Sequence, residues 1–365
     1  MACCLCPAQE KILNSDGTHT LIQSPWKFAD VKSKASLRGL HVYSPQHIWA
    51  SGTGGTIINT NDGGKTWNER VVEGAEELDF RDIHAIDDGT VVAITSGTPA
   101  RIYRSTTSGT SWQMCYESKD ERVFLDSVAF LDSRRGIVMG DPIGDGLYLL
   151  ATKDGGKSWT SFKQVPRVLA GEAGFAASGT NMVSVGKKRI YIGLGSHTEG
   201  QTSPSSRVLF TNDTARTWKK ANVPIARAPS AGIFSLCFAD QKYGVAVGGD
   251  YQKPDDTASN YAVTRDGGRT WSTPTVREPP SGFRSCVSIW KRGQEVNMIA
   301  VGPNGSDRSP DMGSKWHRVS NEGFHAIDFA ESGRIGWACG SDGRIAQWQG
   351  IIPAKLSSTT DSVIK

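Results

Sequence analysis

Six copies of one eight-residue frame, S/T-x-D-x-G-x-x-W, constrain this 365-residue chain more than any other feature. They read TNDGGKTW ending at Trp67, STTSGTSW at Trp112, TKDGGKSW at Trp159, TNDTARTW at Trp218, TRDGGRTW at Trp271 and SPDMGSKW at Trp316. Their tryptophans stand 45, 47, 59, 53 and 45 residues apart. Spacing of that size is one four-stranded propeller blade.

An apolar strand precedes each frame, as in GTIINT (Gly55 to Thr60) and YAVT (Tyr261 to Thr264), and another begins at its tryptophan. The frame is therefore a hairpin turn. Its Asp accepts hydrogen bonds from the turn's own N–H groups, its Gly takes a positive φ, and its Trp is an apolar anchor. Thr107 stands where one Asp is expected and Ala215 where one Gly is expected. A turn survives such a loss at about 1 kcal/mol, whereas a catalytic Asp would not tolerate it, so the frames read as fasteners.

A second periodicity marks the innermost strand of each blade: LRGLHVY from Leu37, FRDIHAI from Phe80, FLDSVAF from Phe124, GFAASG from Gly174, GIFSLCF from Gly232, FRSCVSI from Phe283 and FHAIDFA from Phe324. That is seven starts for six frames. The seventh unit stops after SDGRIAQWQG (Ser341 to Gly350) without an outer strand, and SPWKFADV (Ser24 to Val31) has no blade of its own. The pattern predicts an all-β, seven-bladed β-propeller over residues 24–350, its ring closed by the N-terminal strand so that no edge is left open. Residues 1–23 and 351–365 are expected to be flexible ends.

Composition agrees with many short strands and tight turns: 41 Gly, 16 Pro and 11 Trp. A formal charge of +4 without a Lys/Arg run of five argues against a nucleic-acid partner. No apolar run approaches the ~18 residues that span a bilayer. Cys115, Cys237, Cys286 and Cys339 are scattered singly and read as small buried hydrophobes. The cluster Cys3, Cys4 and Cys6 in MACCLCPAQE has two further readings, palmitoylation or the tail of a secretory signal. The second would make the chain an exported protein, otherwise it is cytoplasmic, and the sequence leaves the compartment open.

The frame is the Asp-box, or BNR, repeat. With seven units, an N-terminal closing strand and the string GTGGTIINTNDGGKTW (Gly52 to Trp67), the chain resembles the photosystem II stability and assembly factor family, including its homologues in non-photosynthetic bacteria. The resemblance covers about Ser24 to Gly350. It implies a propeller that is a non-catalytic assembly factor and binds a newly made membrane subunit through a basic patch.

Box turns join third and fourth strands, so they lie opposite the face where the inner strands enter. Propeller ligands meet the entry face. Aligning the starts puts Arg38, Arg81, Leu125, Ala176, Phe234, Arg284 and His325 at one position. Arg284, His325, Arg38 and Arg81, on blades six, seven, one and two, should form a cationic arc. Asp82 and Asp126 stand next in line, with Asp141, Glu172, Asp250 and Tyr251 in loops of the same face. One reading pairs these charges with one another to hold the blades. The other is an anion site whose guanidinium forks grip a protein segment or a small anion.

A glycoside hydrolase is the alternative, since sialidases grip a carboxylate with three arginines and Arg38, Arg81 and Arg284 invite that comparison. The F/Y-R-I-P segment of sialidases is absent, and ARIY (Ala100 to Tyr103) lacks its Pro. Such an enzyme needs acids at catalytic separation, for which Asp82, Asp126 and Glu172 are the candidates. No cofactor or metal is expected. The glycines of SGTGGT (Ser51 to Thr56) join strands rather than open a helix, GGKT and GGKS lie inside box turns, and the seven histidines show no ligand spacing. His84 reads as a packed residue.

Overall fold

A computed structural model of the chain describes residues 9–13, 19–196, 205–275, 278–292 and 295–350. The described residues form seven antiparallel sheets around one axis, and every inner strand packs beside the next until the seventh returns to the first. Blade one runs outward from Leu37–Val42 through Ile48–Gly52 and Thr56–Thr60 to Asn68–Val71. Its two middle strands are buried along their whole length, because each blade is covered on both faces by its neighbours.

The remaining inner strands are Asp79–Ala85, Leu125–Phe130, Met182–Val185, Ala231–Phe238, Cys286–Arg292 and Ala326–Phe329. Six of the seven overlap the segments read from the sequence. Blade four differs: its inner strand is Met182–Val185, and GFAASG (Gly174 to Gly179) lies outside the sheet. Blade five has three strands, its fourth reduced to a bridge between Val263 and Ser272.

The box turns are built as their residues require. In blade one, Asp62 Oδ1 accepts from the N–H groups of Lys65 at 2.9 Å and Thr66 at 3.0 Å, and Oδ2 accepts from Thr66 Oγ1 at 2.6 Å. These bonds hold the Asp62 carboxyl well below the usual carboxylate range. In the box without an Asp, Thr107 Oγ1 takes the same place and accepts from the N–H of Ser111 at 2.9 Å.

Box glycines explain why the frame recurs. Gly64 has φ +84°, and a Cβ there would fall 2.3 Å from the ring of Trp337 in blade seven; one on Gly109 would fall 2.9 Å from Trp49 in blade one. Each turn therefore lies flat on the preceding blade and bolts two blades together. Ala215 keeps the conformation, with φ +62°, and its methyl joins the buried cluster of Ile137 and Leu149 in blade three.

The ring closes as the sequence predicts. Trp26–Phe28 is the outer strand of blade seven, with Trp26 opposite Trp348 and Phe28 opposite Ala346. Trp26 is enclosed between Trp348, with ring centroids 5.0 Å apart, and Phe324, at 4.7 Å.

Within residues 1–23, expected as a flexible end, Gln9–Leu13 and His19–Gln23 pair as an antiparallel hairpin. It docks on the rim of blade six, where Glu10 accepts from Ser320 Oγ at 3.0 Å and from the N–H of Asn321 at 2.7 Å. The readings of Cys3, Cys4 and Cys6 and of residues 351–365 lie outside the described residues. Of the scattered cysteines, Cys286 and Cys339 are buried and Cys115 and Cys237 partly so, all as free thiols.

Candidate functional site

Four of the seven inner strands enter the ring through a bulge, one extra residue near the start of their ladder with the second strand. In blades one, two, three and five these bulges fall between Leu37 and Gly39, Phe80 and Asp82, Leu125 and Ser127, and Ile233 and Ser235. The bulged residues are thus Arg38, Arg81, Asp126 and Phe234. A bulge turns its side chain out of the regular alternation, which is how Arg38 and Arg81 come to face the entry mouth while their neighbours pack inward.

The register corrects the sequence alignment at two blades. Asp126, rather than Leu125, is the partner of Arg81 in the ring. Arg284 stands one residue early. Its N–H bonds the preceding blade at Gly248 O, as those of Leu37 and Phe324 bond Gly340 O and Gly302 O, so Ser285 is the counterpart of Arg38 and His325.

The side chain of Arg284 is fully buried. Its Nε donates to Asp307 Oδ2 at 2.5 Å, and its Nη1 donates to Phe283 O and Asn304 Oδ1, both at 2.8 Å. For this residue the pairing of charges within the fold is the structure's arrangement, and a ligand at the mouth cannot reach it.

Arg38 and Arg81 are close enough to influence each other electrostatically. Arg81 is held by Asp79 at 3.1 Å, by Ser96 Oγ at 3.0 Å and by Ala176 O at 3.3 Å, and lies over the Phe124 ring. Among the described residues the Arg38 guanidinium makes no hydrogen bond or salt bridge. Partial burial and the nearby Arg81 lower its pKa, so it is a cation lacking a local counter-ion at contact.

His325 donates from Nδ1 to Leu37 O at 2.9 Å, and its Nε2 meets Ser341 Oγ at 3.3 Å. Burial and Arg38 push its pKa down. It therefore joins the arc as a neutral ring. The charge at blade seven comes instead from Arg344, which the alignment of strand starts missed because it sits in the turn between second and third strands. Its guanidinium lies over Phe28 and Phe324, donates to Gly323 O at 3.0 Å and forms a part-exposed salt bridge with Glu322 at 3.3 Å. An Arg in that turn, next to the aromatic of the closing strand, was the available signal.

The carboxylates are shut away by the displaced segment 174–180, which crosses the axis. Phe175 stacks on Phe234 of blade five, Ala176 O receives Arg81 of blade two, and Ser178 Oγ donates to Ser285 O of blade six at 2.9 Å. Gly179, at φ +73°, passes so close to Asp82 that a Cβ would fall 2.2 Å from its carboxyl carbon. The strap plugs the channel from the entry side.

Beneath it Asp82 accepts from the N–H groups of Ile83 and Val128, each at 2.8 Å, and burial pushes its pKa up to about 8. Asp126 is buried too, and burial with the neighbouring Asp141 raises its pKa well above the usual range. Burial also lifts Asp141 to about 6. Glu172 is enclosed with Arg207, its Oε1 2.8 Å from Arg207 Nε. The acids proposed for hydrolysis are thus covered or committed to structural partners. Asp250 holds Lys253 at 3.7 Å, and Tyr251 is exposed at the edge of the Phe175 and Phe234 stack.

Comparison with known proteins follows the same line. Residues 18–119 match the family model described as photosynthesis system II assembly factor YCF48. The photosystem II assembly lipoprotein Ycf48 of Synechococcus sp. (strain CC9902) is 24% identical over 299 residues, covering 73% of this chain and 84% of that protein. A solved structure of YCF48 bound to D1 peptide superposes with a TM-score of 0.62 at 18% identity, covering 90% of this chain and 97% of that one. The GH74 enzyme of Niastella koreensis superposes with a TM-score of 0.56 at 14% identity, over 86% of this chain and 43% of the enzyme. The structural likenesses establish the propeller. Together with the sequence matches they show that the chain is similar to the photosystem II assembly factor family.

Proposed function

We propose that this chain is a non-catalytic propeller assembly factor of the Ycf48 kind, which grips an acidic segment of a partner protein at its entry face. The observation that carries this reading is Arg38: a half-buried guanidinium at the mouth, beside a second arginine, with neither hydrogen bond nor salt bridge among the described residues. A planar fork of donors without an internal acceptor suits a carboxylate arriving from outside. Arg81 and Arg344 flank it, each anchored by a backbone carbonyl and an aromatic face, so the arc is pre-organised. His325 fixes the strand that carries Arg38 through its bond to Leu37 O. Asp82 serves the mouth from below by holding the Val128 N–H, and Asp126 lies buried against Gly174 of the strap, so neither touches the ligand.

A small carboxylate or sulfate would engage the same arc as a fragment of the peptide's chemistry. The solved relative bound to D1 peptide is the precedent for a protein segment as occupant. Among the described residues no helix is long and apolar enough to cross a membrane.

The test is fluorescence anisotropy with a labelled acidic peptide bearing a free C-terminal carboxylate, run against wild type, Arg38→Glu and Arg81→Glu, with melting curves of all three. Charge reversal at Arg38 is expected to weaken binding by about tenfold or more with the melting temperature unchanged, and added salt to weaken wild-type binding. Unchanged peptide affinity in Arg38→Glu refutes the assignment of the mouth as the recognition surface.

A further inference from the structure

The strap closes the axial channel from the entry side only, which leaves a blind funnel open on the face of the box turns. It has two lobes, about 520 Å³ and about 470 Å³, which share Ser184 and Asp328 as lining. Its floor is the strap itself, at Thr180, whose Oγ1 bonds Ser235 Oγ at 2.7 Å. Volumes of this order are those of small-ligand sites.

The lining has one sign of charge. Asp328, Glu331, Asp132 and Asp240 contribute carboxyls, and neither Lys nor Arg lines either lobe among the described residues, in a chain of net charge +4. Asp132 is already held by Arg135, at 2.6 Å. The other three have no salt-bridge partner among the described residues.

One wall is aromatic. His41 stacks on His84 with centroids 4.3 Å apart, and His84 on Phe130 at 5.1 Å. His41 Nδ1 accepts from the N–H of Ala85 at 2.8 Å, which puts its own proton on Nε2. Neither nitrogen of the His84 ring is hydrogen-bonded within the described residues. Burial pushes His41 down to about 4 and, with His41, lowers His84 further from its ordinary value. Both rings are uncharged at neutral pH and present π-faces and a free lone pair.

We propose that this funnel is a binding site for an organic cation, a guanidinium or primary ammonium whose charge meets Asp328 and Glu331 and whose body lies on the His41, His84 and Phe130 wall. Unpaired acids with stacked rings and no basic residue favour such a cation over an anion. A hard metal ion is disfavoured, since no three His, Cys, Asp or Glu side chains among the described residues converge as ligands. The same head group could arrive on a free amine or on the Arg or Lys side chain of a protein. The site is separate from the entry-face arc, on the other side of the strap.

Calorimetric titration at about pH 8, where the Asp328 carboxyl, raised to about 7 by burial, is mostly ionised, tests this with agmatine and with N-acetyl-arginine amide. Saturable binding is expected, weakened about tenfold in Asp328→Asn and about threefold in Glu331→Gln, and unchanged in Arg38→Glu. Tighter binding of agmatine identifies a free amine as the ligand, and tighter binding of the capped arginine a side chain of a partner. Glu331 is exposed and makes no hydrogen bond among the described residues, so that variant reports binding even if Asp328→Asn, which loses an acceptor for Val42 or Phe329, folds poorly. Failure of both probes to saturate by about 10 mM, or wild-type affinity in Glu331→Gln, overturns the proposal.

Discussion

Replacing Trp26 by Ala removes the anchor of the closing strand, and the neighbouring Phe28 supplies an internal control. Trp26 is 5% exposed and touches Trp348 edge-on at 5.0 Å and Phe324 at 4.7 Å. Phe28 belongs to the same three-residue strand but is 48% exposed, and meets Phe324 only at 6.3 Å. Truncating a buried Trp costs about 3–5 kcal/mol, and two tight ring contacts place Trp26 near the middle of that range, at about 4 kcal/mol. A chain of this length has an unfolding entropy of about 0.7 kcal/mol per kelvin, so Trp26→Ala should melt about 6 °C lower and Phe28→Ala about 1–2 °C lower. Circular-dichroism melts with urea titrations measure both, and a smaller urea slope for Trp26→Ala would show the strand already detached in the folded state, since less surface is then left to expose. If both variants lose the same amount, or Trp26→Ala loses under about 2 °C, the ring is not held by its own beginning.

Arg284→Ala leaves Asp307 buried without its cation and should destabilise the chain by about 3–5 kcal/mol, a loss read by urea unfolding. Arg38→Glu should change the same curve by less than about 1 kcal/mol. Stability should also depend on Asp82. Its folded pKa of about 8 lies above its ordinary value of 3.8, so the folded state binds the extra proton between those values. Its contribution is therefore largest below about pH 4, falls as pH rises towards 8, and is level above that. Asp82→Asn should flatten that part of the pH–stability profile, and an unchanged slope would exclude Asp82 as its source.

The repeat was readable because its residues are demanded by local geometry. A left-handed glycine, an acceptor two residues after a Thr and a large anchor leave a mark that survives the loss of one member, as at Thr107 and Ala215. Closure was readable from counting, since blade seven lacked a strand and Trp26 lacked a blade. The site was less legible. The letters F-R-S placed Arg284 beside Arg38, although the hydrogen-bond register sets it one step earlier, inside the fold. GFAASG has the small residues of an inner strand, yet it serves as the strap, where smallness is needed to slip past Asp82. Nothing local in a sequence distinguishes a glycine that passes a neighbouring strand from one that passes a buried carboxyl. The N-terminal hairpin was missed because its polar pattern makes sense only against Ser320 and Asn321, some 310 residues away.

The strap that spans the axis touches both ends of the molecule. Ala176 O is a tether for Arg81 on one side, and Thr180, four residues on, is the floor of the funnel on the other. An occupant that draws Arg81 towards itself slackens one end of a segment whose other end shapes the opposite cavity. Linkage then requires the reverse influence with equal strength. Two sites on opposite faces thus share one wall, and a ligand that shifted it at one face would be felt at the other.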